Sequence, residues 1–121
     1  MTSPIGTAYS FGGFRAQRVF AETLTAAMFD SGLTPDTFLK EYGVDQYEVT
    51  YGPRPGILGA DHALILRELV RITGEHLDRP VSFTPLRAAD GGRGFCQIPL
   101  LLTKGVLFVC WIPLLFQISA R

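Results

Sequence analysis

The sequence has no excess of charge of either sign, because eleven lysines and arginines balance eleven acidic residues and the formal net charge is zero. Basic residues are not interleaved with aromatic ones, so we expect no nucleic-acid partner. The N-terminal MTSPIGTAYS lacks a positive region followed by an apolar core, so the sequence predicts no secretory signal and a cytoplasmic location. A length of 121 residues suits one small domain.

Cysteine and histidine are scarce, with two of each. Cys96 and Cys110 are fourteen positions apart and belong to no CxxC motif or Cys/His cluster, so the spacing predicts no zinc site and supports no particular disulfide. His62 and His76 fall near the two ends of one predicted helix and cannot meet on one turn. The sequence therefore gives no reason to expect a histidine or cysteine metal centre.

Acidic residues are absent after Asp90, whereas both cysteines and the single tryptophan lie beyond Gly94. Only two basic residues, Lys104 and Arg121, accompany them. This change of composition divides the chain into residues 1–93 and an apolar tail, residues 94–121, of uncertain structure.

The tail has competing interpretations. Residues 98–120 are mostly apolar and approach the roughly 20 residues that a membrane span needs. Lys104 interrupts this stretch, and Pro99 and Pro113 would disturb a helix, so membrane insertion is disfavoured. Residues 106–112 are uncharged and favour β structure, so buried strands or an aggregation-prone segment are the alternatives.

The most informative segment is EYGVDQYE, residues 41–48, which contains two carboxylates seven positions apart. In one continuous strand Glu41 and Glu48 would point to opposite faces, about 23 Å apart. A turn at residues 43–45 instead makes them cross-strand neighbours with side chains about 5 Å apart. Such a pair is repulsive unless something positive lies between, and Mg²⁺ and Mn²⁺ prefer oxygen ligands. The alternative is a plain hairpin with two solvated acids, in which Asp45 bonds its own backbone rather than assisting a cation.

The segment before this motif predicts one helix and a strand. Apolar residues recur at helical spacing over residues 14–29, and Gly32 supplies the end of that helix. Thr34 and Pro35 predict a short turn or helical piece, and Phe38 with Leu39 begins the first strand of the hairpin. The helical core positions are Phe20, Leu24, Ala27 and Met28.

The segment after the motif predicts a strand, a helix and a further strand. The second hairpin strand covers residues 46–51, and a loop rich in glycine and proline ends at Asp61, a plausible N-cap. The helix runs to about His76 and a short strand covers residues 81–84. Ile65, Leu69 and Ile72 form the predicted packing stripe, with Arg67, Glu68, Arg71 and Glu75 facing water.

Residues 41–48 resemble the metal-binding hairpin of the glutamine synthetase family, whose pattern is approximately E-Y-G-P-G-Q-Y-E. Val44 and Asp45 replace the usual proline and glycine of the turn. The next helix is similar to the family's A-D-x-x-x-x-x-R-E helix, and Phe83 and Pro85 match a strand ending in F-x-P. The resemblance covers about residues 4–93. The matching residues are Glu41, Tyr42, Gly43, Gln46, Tyr47 and Glu48 in the hairpin, and Ala60, Asp61, Arg67 and Glu68 in the helix.

The resemblance implies an α+β fold in which an antiparallel hairpin from a catalytic domain is packed by two helices. It implies that Glu41 and Glu48 hold the Mg²⁺ or Mn²⁺ ion on the amino-acid substrate side of the site. Tyr51 lies near where relatives contact the nucleotide, although a core aromatic is the alternative. The implied reaction joins glutamate to ammonia or an amine such as a polyamine, using ATP and passing through γ-glutamyl phosphate, in a homo-oligomer.

The resemblance stops at Gly94, where the family continues as roughly G-N-G-x-H-x-H and this chain reads GGRGFCQIPLLL. Both histidines are missing, so Gly91, Gly92 and Gly94 predict an ordinary loop and the isolated chain is expected to be inactive. One hypothesis is a frameshift, a misjoined exon or a truncated gene. The other is a shortened, non-catalytic relative that binds a partner or a membrane through its tail.

Overall fold

The computed structural model describes the backbone of residues 8–83, 100–103, 106–109 and 114–118, and the side chains of residues 8–83 and 114–118. These residues form helices and antiparallel sheets, so the predicted α+β fold class is confirmed. The helices are α1 (Phe11–Ala16), α2 (Arg18–Asp30) and α3 (Ile57–His76). The strands are β1 (Pro35–Lys40), β2 (Gln46–Tyr51), β3 (Arg54–Pro55), β4 (Val81–Ser82), β5 (Leu100–Thr103), β6 (Val106–Val109) and β7 (Leu114–Ile118).

The main sheet has four strands in the order β1-β2-β7-β4, and a second sheet has the order β3-β6-β5. All pairings are antiparallel. The predicted bounds of β2 are confirmed. The turn or helical piece predicted at Pro35 is wrong, because Pro35 begins β1 opposite Tyr51.

Strand β7 brings part of the apolar tail into the centre of the main sheet. It pairs with β2 on one side and β4 on the other. Phe116 and Ile118 are fully buried there, so for this segment the buried-strand alternative is the one that the structure adopts. The predictions that involve Cys96, Cys110, Lys104 and the glycine segment at residues 91–94 lie outside the described residues.

Helices α2 and α3 contact each other, and each contacts the main sheet. The prediction of one helix over residues 14–29 is wrong in one respect, because the helix breaks at Gln17. The Gln17 side chain is buried and accepts a hydrogen bond from Arg79 (2.9 Å). Gly32 ends α2 as predicted, with a φ of 80° that other residues rarely adopt. The core contains Phe20, Leu24, Met28, Leu33, Tyr47, Val49, Tyr51, Leu66, Val70, Phe116 and Ile118.

Helix α3 differs from the prediction at its start and in the face that it buries. It begins at Ile57, after Gly56, so Asp61 is not its N-cap. Ile65 and Ile72 are 38% and 55% exposed, whereas Leu66 and Val70 are fully buried. Apolar residues occur around much of this helix, so its periodicity was compatible with more than one buried face. Packing of α3 against the sheet determines which face is buried. The four charged residues expected to face water are exposed as predicted.

Within the described part of the chain, no helix is both long enough and apolar enough to cross a bilayer.

Two leucines on α3, one buried and one exposed, allow a matched test of which face of the helix is buried. Leu66 is fully buried and Leu64 is 66% exposed. We expect Leu66→Ala to lower the free energy of unfolding by about 2–4 kcal/mol, because it leaves a cavity in the core. Leu64→Ala should change it by about 0.5 kcal/mol or less. Urea denaturation measures both, and equal effects would contradict the packing of α3.

The position of β7 generates a second test. Phe116 is fully buried and its ring stacks on Phe20 at a centroid distance of 5.7 Å. We expect Phe116→Ala to cost about 3–5 kcal/mol of unfolding free energy. Phe29, which is 64% exposed at the end of α2, provides the matched control through Phe29→Ala. If Phe116→Ala were as mild as this control in urea denaturation, β7 would not be part of the core.

Candidate metal centre

The hairpin turn closes as predicted, although it lacks the proline and glycine of the family pattern. The Gln46 amide donates to the Gly43 carbonyl (3.2 Å), and the Glu41 amide donates to the Gln46 carbonyl (2.9 Å). The Gln46 side chain adds a third bond, since its Oε1 accepts from the Gly43 amide (3.2 Å). Asp45 adopts a φ of 53°, a left-handed conformation that aspartate tolerates better than most residues.

Lys40 braces this turn from the inside. Its side chain is fully buried, and its ammonium group donates to the carbonyls of Glu41 and Gly43. The Lys40 methylenes lie so close to Gly13 in α1 that a Cβ there would come within 2.6 Å of Lys40 Cγ. The Tyr47 hydroxyl also donates to the Gly13 carbonyl (2.9 Å). Helix α1 is therefore held against the hairpin, and only glycine fits at the contact.

Glu41 and Glu48 lie on the same face of the hairpin, away from the helices. Glu48 is opposite Leu39 in the β1–β2 register, and Glu41 is two residues beyond Leu39. The two acids are thus diagonal neighbours across the hairpin and not a directly opposed pair. Glu41 contributes to the raised pKa of Glu48, as expected for two carboxyl groups that the turn brings close together.

The electrostatics of the pair favour an added positive charge. Burial is the largest of three causes that raise the pKa of Glu48 to about 7, and the charge of Glu41 and a side-chain hydrogen bond with Glu41 are the other two. Glu41 is 4% exposed, and its Oε2 has no hydrogen-bond partner among the described residues. Its Oε1 accepts a long hydrogen bond from the Tyr9 hydroxyl (3.4 Å). A proton shared by the carboxyl groups, or a cation bound to them, would relieve their repulsion.

Aromatic rings border the acidic pair. Tyr9 and Tyr42 meet edge to face at a centroid distance of 5.8 Å, and Tyr9 is 61% exposed. The Tyr9 amide donates to the Lys40 carbonyl (2.7 Å), which fixes this segment beside the hairpin. No spacing rule linked Tyr9 to the site, because it contacts Glu41 from 32 positions away. Lys40 adjoins the motif, but only the folded structure shows that its side chain turns back to the carbonyls of Glu41 and Gly43.

Two acids satisfy only part of a divalent cation's coordination requirement. Mg²⁺ takes six oxygen ligands and keeps several waters, and the exposed side of Glu48 leaves room for solvent. Among the described residues, no group of three or more histidine, cysteine, aspartate or glutamate side chains is placed to hold an ion. The carboxylate oxygens of Glu41 and Glu48 suit a hard cation, but they fill only part of its coordination shell.

Tyr51, the predicted nucleotide contact, is buried in the core. Its hydroxyl donates to the Gly59 carbonyl (2.8 Å), and its ring lies 5.8 Å from that of His62. These contacts agree with the core-aromatic alternative, and the nucleotide role stays a prediction. His62 is buried on α3 and His76 is exposed at the end of the same helix, so the structure does not bring the two histidines together.

The raised pKa of Glu48 predicts a pH dependence of stability. Its ordinary pKa is 4.5 and its folded value is about 7, so the folded state binds the proton more tightly. The resulting stabilisation is fully present below pH 4.5 and is lost as the pH rises towards 7. Allowing for solvent screening of this half-exposed group, we expect a loss of about 1–2 kcal/mol.

Urea denaturation across this pH range, with a chelator present, measures the effect. We expect Glu48→Gln to abolish the fall and to be more stable than the parent above pH 7. Glu75→Gln, which alters an exposed acid on α3, should retain the parental pH profile. Parallel profiles for the parent and Glu48→Gln would contradict the assignment.

The chain is similar to a gamma-glutamylpolyamine synthetase from Streptomyces coelicolor, with 31% identity over 71 residues. The aligned stretch is 59% of this chain and 15% of the relative, so the chain spans a small part of that protein's length. No protein-family model matches the chain. No solved structure matches it either. The comparison gives weak support to the glutamine synthetase family and to nothing finer.

Proposed function

We propose that this chain is part of a glutamine synthetase-like catalytic domain and that Glu41 and Glu48 hold a divalent cation, Mg²⁺ or Mn²⁺. The observation that carries the proposal is the placement of the two acids on one face at the hairpin turn, with Glu41 Oε2 buried and without a partner among the described residues. An acidic pair of this kind is costly to bury without a counter-charge. The EYGVDQYE motif and the similarity to a gamma-glutamylpolyamine synthetase both support the same family.

In the whole protein the proposed reaction is ATP-dependent formation of an amide between glutamate and an amine. A bound cation would neutralise phosphate charge and orient the substrate carboxylate. The contribution of this chain is to position the two acids, and Lys40 does so by bracing the turn from the opposite face. The relative's name favours a polyamine over ammonia as the acceptor. Because the chain spans a small part of that relative, we expect the isolated chain to bind the cation without catalysing the reaction.

The alternative function, partner or membrane interaction through the apolar tail, receives less support. Residues 114–118 of the tail pair with β2 and β4, and Phe116 and Ile118 lie in the core. A segment packed in this way is not available for insertion unless the sheet opens. The frameshift hypothesis stays a hypothesis, and sequencing the encoding DNA for a hidden G-N-G-x-H-x-H frame tests it.

Calorimetric titration of the 121-residue chain with Mn²⁺ tests the proposed metal role. We expect the Glu41→Gln, Glu48→Gln double variant to weaken binding by about tenfold or more, because it removes both anionic ligands. We also expect the parent to bind more tightly at pH 8 than at pH 6, because protons compete for the same carboxyl groups.

The matched control is the Glu68→Gln, Glu75→Gln double variant. It makes the same change in net charge on the exposed side of α3 and should bind like the parent. Folding of each variant is checked by circular dichroism. Equal Mn²⁺ affinity in the parent and the hairpin variant, or no Mn²⁺ binding by the folded parent, would contradict the proposed metal role.

A further inference from the structure

The sheet face that carries Glu41 and Glu48 holds a second buried oxygen without a partner. Gln117 in β7 is 4% exposed, and its Oε1 accepts no hydrogen bond from the part of the chain that the structure describes. Glu41 is equally buried, and its Oε2 is likewise unpartnered. Buried polar atoms in native structures are normally satisfied, so each exception needs an explanation such as a bound water or ion.

The strand register places both oxygens in the same row of the sheet. Glu41 bonds to Gln46 through the backbone, and Gln46 is opposite Gln117 in the β2–β7 register. Directly paired residues share a face, so Glu41, Gln46 and Gln117 form one row on the side away from the helices. Glu48 is opposite Leu115 in the next row, and it therefore lies diagonally between Glu41 and Gln117.

The side chain of Gln46, the middle residue of this row, is hydrogen-bonded within the turn. Its Oε1 accepts from the Gly43 amide. The outer residues of the row, Glu41 just after β1 and Gln117 in β7, therefore carry the two oxygens that lack a partner among the described residues, and Glu48 lies between them in the adjacent row.

We propose that the Gln117 side-chain oxygen is a third ligand of the cation held by Glu41 and Glu48, an inference that rests on the proposed function above. Carboxylate and amide oxygens both coordinate hard divalent ions. Two carboxylates balance the charge of one divalent ion, and an amide adds an oxygen without adding a third negative charge. Gln117 comes from the tail, where the resemblance to the family has ended, so this ligand is a property of this chain rather than one carried over from relatives.

Two substitutions of Gln117 test the proposal by Mn²⁺ calorimetry at pH 8. Gln117→Met keeps the length of the side chain and removes the oxygen, so we expect about tenfold weaker binding. Gln117→Glu keeps an oxygen at the same place and adds a negative charge, so we expect tighter binding than in the parent. Ala26→Glu, which adds the same charge at an exposed position on α2, should leave the affinity unchanged. Thermal unfolding without metal confirms that each variant is folded.

The outcomes separate this inference from the proposed function. If the parent binds Mn²⁺ through Glu41 and Glu48 but both Gln117 variants bind like the parent, Gln117 is not a ligand and the proposed function survives. If Gln117→Glu binds more weakly than the parent, the amide nitrogen rather than the oxygen faces the carboxylates, and the ligand role is overturned. If the folded parent does not bind Mn²⁺, both proposals fail. Should Gln117→Met not fold, Gln117→Asn, which withdraws the oxygen by one methylene, replaces it with the same expected loss.

Discussion

The pairing of β2 with β1 on one side and β7 on the other is the constraint on which the rest of this structure depends. Side chains along a strand alternate between faces, so the register sends Tyr47, Val49 and Tyr51 into the core. The same register leaves Gln46 and Glu48 on the opposite face. A slip of one residue would bury the acid among aromatic rings and expose the core residues. Core packing therefore also enforces the geometry of the acidic site.

Lys40 and the acidic pair lie on opposite faces of the hairpin. Lys40, the nearest buried cation, is opposite Tyr47 and so points to the helix side of the sheet. Its ammonium group bonds to backbone carbonyls of the turn. It stabilises the turn that brings Glu41 and Glu48 together. A proton or a bound cation would relieve the repulsion between the two carboxylates. Burial and that repulsion both raise the pKa of Glu48.

Part of the apolar tail has a structural role in the main sheet. From the sequence alone, membrane insertion was disfavoured, and buried strands, an aggregation-prone segment or a frameshifted extension were the alternatives. Residues 114–118 fill the position between β2 and β4, and Phe116 stacks on Phe20 of α2. The Ile118 amide also donates to the Asp45 carbonyl in the turn (3.0 Å). One short strand thus supports both the core and the turn that carries the acidic site.

The sequence by itself determined the local features: the α+β class, the bounds of β2, the turn at residues 43–45 and the end of α2 at Gly32. These depend on alternation, helical periodicity and turn chemistry, which act over a few residues. Tertiary structure alone decided the diagonal placement of Glu48, the buried stripe of α3 and the insertion of β7. Local pattern was compatible with several faces of α3, and pairing of residues 46 and 117 leaves no signal in either segment. Burial on a particular face is a long-range property, because it depends on which partners the folded chain brings against that face.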